Sequence, residues 1–110
     1  MIHVVDKNHF NERVRNASGM VLVNFWTSWS DECRNMYPLM LNVADILDDQ
    51  DAIVYIDWDR QKRLAQKLEV FGVPTLLIYI NGREKARYSG TMNKVDLIER
   101  IIEAKNPEAR

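Results

Sequence analysis

The stretch Met20-Val21-Leu22-Val23-Asn24-Phe25-Trp26 constrains the fold of this chain more than any other. It is a near-continuous apolar run of strand length. Apolar side chains on both sides of the pleat imply a central strand covered on both faces. Such a strand needs helices above and below it, and the rest of the chain supplies them. Ile2 to Val5 reads as a short strand. A helix from about Lys7 to Arg15 follows, with Phe10 and Val14 on one face, Asp6 as its cap and Ala17-Ser18-Gly19 as its end. From Asp31 to Leu47, the residues Met36, Leu39, Met40, Val43, Ala44 and Leu47 recur at helical spacing, and Pro38 should kink the helix. Ala52 to Ile56 is a second buried-type strand, and Arg60 to Leu68 a short amphipathic helix. Thr75 to Ile80 and Glu84 to Ser89 form an antiparallel pair around Asn81-Gly82, a dipeptide that tolerates positive φ at both positions. The last helix runs from about Asn93 to Ala104, with Val95, Leu97, Ile98, Ile101 and Ile102 inward. The order β-α-β-α-β-α-β-β-α predicts an α/β fold, a mixed sheet with helices on both faces. Chemistry in such folds sits at the carboxyl ends of the central strands, here just after Trp26.

At 110 residues the chain has room for one domain. That domain is read over residues 1–105, with Asn106 to Arg110 as a polar tail that frays. Fifteen basic against sixteen acidic residues leave a net charge of −1, which gives no electrostatic case for nucleic acid or an anionic membrane. No apolar run approaches the ~20 residues of a membrane helix. The start lacks the basic and long apolar regions of a signal peptide, so a cytoplasmic location is expected. His3 and His9 lack a matching set of ligands, so neither metal nor cofactor is assigned. Lys62, Arg63 and Lys67 read as a solvated helix face. Cys33 is the one cysteine, which forbids any two-cysteine redox cycle within the chain.

The segment Phe25-Trp26-Thr27-Ser28-Trp29-Ser30-Asp31-Glu32-Cys33, with Pro38 beyond it, resembles the active-site region of the thioredoxin family. That family carries Phe-Trp-x-x-Trp-Cys-Gly-Pro-Cys and a helix-kinking proline. Val73-Pro74-Thr75 is similar to its cis-proline loop, Asn81-Gly82 to its hairpin turn and Gly90 to its late glycine. These landmarks keep the family's spacing from about Asn24 to Ala104. The resemblance implies the thioredoxin fold, a central mixed sheet with helices on both faces, and thiol-disulfide redox function.

The departures fall on the chemistry. Ser30 stands where the family has its nucleophilic cysteine, and only Cys33, at the shielded resolving position, is kept: Ser-x-x-Cys in place of Cys-x-x-Cys. Disulfide exchange needs a thiolate to attack sulfur, and a serine hydroxyl does not replace one. Ser30 also reads simply as a helix N-cap. Asn24 occupies the position of the family's buried aspartate, and asparagine does not titrate. The resemblance retains a docking groove, in which Val73 beside Pro74 offers a backbone edge to an extended protein or peptide partner and Trp29 and Gly90 frame the site. The leading expectation is a thioredoxin-like protein without dithiol reductase activity. Two alternatives stand beside it. One is a monothiol protein in which Cys33 forms mixed disulfides with glutathione or a protein thiol; the other is an ordinary reductase carrying an engineered Cys-to-Ser change at position 30.

Overall fold

A computed structural model describes residues 2–4 and 9–106. Strands β1 (Ile2–Val4), β2 (Met20–Trp26), β3 (Ala52–Asp57), β4 (Thr75–Ile80) and β5 (Arg83–Ser89) form one sheet in the order β1-β3-β2-β4-β5. β3 pairs in parallel with both β1 and β2, whereas β4 runs antiparallel to β2 and β5 to β4. The sheet is mixed, as the alternation of elements predicts. β2 lies at its centre, and its residues Met20 to Phe25 are all buried.

Successive side chains of β2 point to opposite faces and divide the core in two. Val21, Val23 and Phe25 join Val54, Ile56, Leu77 and Tyr79 on one face, under Phe10, Val14 and Leu64. Met20 and Leu22 join Ile53, Tyr55, Leu76 and Ile78 on the other. That second face is covered by helix α1 (Asp31–Ala44), through Met36, Met40 and Val43, and by helix α3 (Lys94–Lys105), through Leu97 and Ile101. Helix α2 (Lys62–Lys67) packs Leu64 and Ala65 on the first face.

Several expectations are corrected in detail. The first helical segment, Asn11–Arg15, is π-type rather than α: Asn16 N–H donates to the Asn11 carbonyl at 2.7 Å, five residues back. Phe10 and Val14 are nevertheless both buried, as their spacing predicts. The Asp6 cap, the residues from Lys7 to Asn8 and the tail beyond Asn106 lie outside the described residues. Helix α1 ends at Ala44, not Leu47, and passes through Pro38. On α3, Val95 and Ile102 face solvent, at 65% and 51% exposure, although both were expected inward. At about 100° per residue they lie roughly 140–160° around the helix from Leu97, outside the stripe that meets the sheet. The hairpin follows its sequence: Asn81 and Gly82 take φ of 50° and 83°.

Candidate functional site

The carboxyl end of β2 runs into Thr27 to Ser30 and then into helix α1. Ser30 has the extended backbone of an N-cap residue, and its Oγ accepts a hydrogen bond from the Cys33 N–H at 3.3 Å. This cap satisfies one of the four N–H groups that every helix start leaves without a partner. Asp31 is ion-paired with Arg34, whose guanidinium also donates to the Ser28 carbonyl at 2.6 Å. Together these contacts fix the turn between strand and helix. Cys33, one turn into the helix, is a free thiol at 3% exposure.

In the sheet, Asn24 lies opposite Tyr55 on β3 and Leu76 on β4. Strand alternation puts Asn24 on the same face as Leu22, the face that α1 covers. Asn24 is buried, and so is Tyr55, whose ring meets Trp26 edge-on at 6.4 Å and Tyr37 at 5.7 Å. Burial, reinforced by Tyr37, pushes the Tyr55 phenol up to about 12. Neither Asn24 nor Tyr55 therefore exchanges a proton near neutral pH.

A second wall comes from the loop between α2 and β4. The Val73-Pro74 peptide bond is cis. The loop is held from three directions. Trp58 Nε1 donates to the Val70 carbonyl at 3.0 Å, and Thr75 Oγ1 to the Gly72 carbonyl at 2.8 Å. Arg87 on β5 donates to the Leu68 and Glu69 carbonyls at 2.9 and 3.0 Å while forking onto both oxygens of Glu84. That fork-to-carboxylate geometry is the strong form of a charged hydrogen bond. Gly90 N–H donates to the Pro74 carbonyl at 2.8 Å. Val73 itself makes no backbone hydrogen bond among the described residues.

An open groove of about 370 Å³ runs past this loop, lined among others by Phe71, Val73, Pro74, Ser89 and Gly90. It brings three of the sequence-predicted residues together: Val73, Pro74 and Gly90. Trp29 does not line it. Its indole, 63% exposed, stands apart and donates from Nε1 to the Asp59 carboxylate. Ser30 and Cys33, at the start of α1, and Asn24, on β2, also lie off the groove.

Sequence reasoning missed four residues here. Asp59 fixes Trp29, while Asp57 accepts from the N–H groups of Asp59 and Arg60. Trp58 and Arg87 carry the loop. Phe71, at 80% the most exposed of the large apolar residues described, rims the groove. Only Phe71 had a local signal, an aromatic residue two positions before the Val73-Pro74 pair.

Among the described residues no cluster of three His, Cys, Asp or Glu side chains is placed to hold a metal, and no helix is long and apolar enough to cross a membrane. The family model described as thioredoxin matches residues 1–103. Thioredoxin Y2, chloroplastic, of Arabidopsis thaliana is 32% identical over 94 residues, 86% of this chain and 56% of its own length. Protein disulfide isomerase-like 2-3 of Oryza sativa is 29% identical over 92 residues, and the matched part is 21% of that protein. The chain thus spans about half or less of these plant relatives. A thioredoxin of Chlamydia trachomatis is 32% identical over 101 residues, 92% of this chain and 96% of its own. Matched across nearly all of its length, and with the sheet order and helix placement described above, this chain belongs to the thioredoxin family.

Proposed function

We propose that this chain is a thioredoxin-like protein that docks an extended protein segment in its groove and does not turn over disulfides by itself. The observation that carries this reading is the state of residue 30. Ser30 occupies the nucleophile's position, and its hydroxyl is spent on capping α1 through the Cys33 N–H. Cys33 has no second thiol in the chain and is buried. Asn24 and Tyr55, on the sheet face that α1 covers, supply no proton carrier near neutral pH. The groove side, by contrast, is built and braced: Arg87, Trp58 and Thr75 hold the loop that presents Val73, and an extended segment pairing with that backbone would be a form of strand addition. Val73, Pro74 and Gly90, which line the groove, are the residues proposed to meet the partner, with Trp29 standing outside it. The burial of Cys33 weighs against a monothiol exchange with glutathione or a protein thiol. The reading extends to one thioredoxin-like domain over residues 1–105, a cytoplasmic location and no nucleic-acid or membrane partner.

Reduction of insulin by dithiothreitol, followed as turbidity, tests it. The protein should leave the rate at that of dithiothreitol alone, and an acceleration comparable to that by an ordinary thioredoxin would overturn the reading.

A further inference from the structure

On the face of the sheet opposite α1, an open groove of about 670 Å³ lies between the first helical segment and α2. Its rim is cationic. Arg15 stands on one wall, and Arg63 and Lys67, one turn apart on α2, stand on the other. Among the described residues no acidic side chain lines it, although the chain as a whole carries a charge of −1. Among the described residues none of the three cations forms an ion pair, whereas Arg34, Arg60, Arg87, Arg100 and Lys105 all do. Helix α2 opens on Lys62 and Arg63 with no acid in its first turn, against the preference of a helix start for negative charge. Local rules broken in this way tend to mark function.

The chemistry of the walls narrows the occupant. The Arg15 guanidinium lies over the Phe10 ring, 5.5 Å from its centre, so its fork is already oriented. Phe10 is 2% exposed beneath it, and among the described lining residues no open ring remains on which a nucleobase could stack. Asn11 and Gln66 add amide donors between the cations. Arg63 and Lys67, being i and i+4, have Cβ atoms about 6 Å apart. That spacing matches carboxylates at alternate positions of an extended chain, about 7 Å apart. We propose that this groove binds an acidic segment of a partner protein through carboxylates held by Arg15, Arg63 and Lys67. The site lies across the sheet from Cys33 and works independently of the Val73 groove.

The test is a titration of the ¹⁵N-labelled full chain with acetylated hexaglutamate, followed by amide shifts, with hexalysine and inorganic pyrophosphate as separate arms. Hexaglutamate should shift Asn11, Arg15, Arg63, Gln66 and Lys67 together, and binding should weaken as salt rises from about 0.05 to about 0.3 M. Arg15→Ala, Arg63→Ala and Lys67→Ala should each weaken it by about two- to fivefold, as exposed ion pairs do. Shifts scattered over the surface, or shifts unchanged by these substitutions, would overturn the proposal. So would pyrophosphate binding the same residues as tightly as hexaglutamate, because the groove would then hold small anions without reading a chain. Equal binding of hexalysine would overturn it as well.

Discussion

Replacing Asp51 should be among the most damaging single changes available outside the apolar core. Its side chain is 2% exposed and ties three parts of the molecule together. Oδ1 accepts from the Met20 N–H at 2.9 Å at the start of β2; Oδ2 accepts from the Asp48 N–H at 2.9 Å and from Lys105 Nζ at 2.5 Å at the end of α3. Burial pushes the carboxyl up, but the hydrogen bonds from Lys105, Met20 and Asp48 outweigh it and hold the group below its ordinary value of 3.8. Asp51→Ala leaves the buried Met20 N–H without an acceptor, at about 1–3 kcal/mol. Lys105, partly exposed, keeps its ion pair with Asp48 at 2.6 Å, so its share of the loss is small. With the Asp48 contact included, the loss is about 2–4 kcal/mol, a large share of the roughly 5–15 kcal/mol that holds a domain together. It corresponds to a fall in Tm of about 10–20 °C.

The pH dependence of this effect has a definite sign. A carboxyl with a lowered folded-state pKa contributes stability that is present above its unfolded value and lost as pH falls through the folded one. Lys105 is the mirror case: hydrogen bonds to Asp48 and then Asp51 raise it above 10.5, so its share is lost only as pH rises beyond that value. Urea unfolding followed by tryptophan fluorescence should give a constant gap between wild type and Asp51→Ala from about pH 5 to 9, narrowing below about pH 4. A gap under about 0.5 kcal/mol at neutral pH, or one that widens on acidification, would refute the reasoning.

Two further outcomes follow from single sites. Gly82→Ala should destabilise the protein by more than about 2 kcal/mol in urea unfolding. Gly82 has φ of 83°, and an added Cβ would stand 2.1 Å from the Arg15 carbonyl oxygen, a backbone atom that does not yield. Iodoacetamide should alkylate Cys33 far more slowly in the folded chain than in urea, because the sulfur is buried in the first turn of α1. Equal rates in the two states, read by mass spectrometry, would mean that the helix start opens readily.

Much of the fold was legible because the signals that define it are local. The Met20–Trp26 run announced a central strand, Asn81-Gly82 a turn with positive φ at both positions, and Ser30 a helix cap. The misreadings have physical causes. Val95 and Ile102 are apolar at helical spacing, but α3 meets the sheet along a narrower stripe than its sequence offers. The π-type turn at Asn11–Arg15 keeps the Phe10 and Val14 contacts that an α-helix would make, so periodicity does not separate the two. The bracing of the site was invisible for a different reason. Trp29 meets Asp59, Trp58 meets Val70 and Arg87 meets Leu68 across 30, 12 and 19 residues, and such pairings exist only once the sheet has formed.

The central claim is that an intact thioredoxin-type site has lost its dithiol chemistry through the residue at position 30. It is tested most directly by Ser30→Cys. Residues 30 and 33 meet at the start of α1, where the Ser30 Oγ already reaches the Cys33 N–H. After mild oxidation the variant should therefore lose both free thiols to an internal disulfide, detected by mass and by thiol titration. Once reduced, it should accelerate insulin reduction, though less than an ordinary thioredoxin, because Asn24 still supplies no proton carrier. A variant that keeps two free thiols under oxidation, or that forms the disulfide yet leaves insulin reduction at the wild-type rate, would contradict the account.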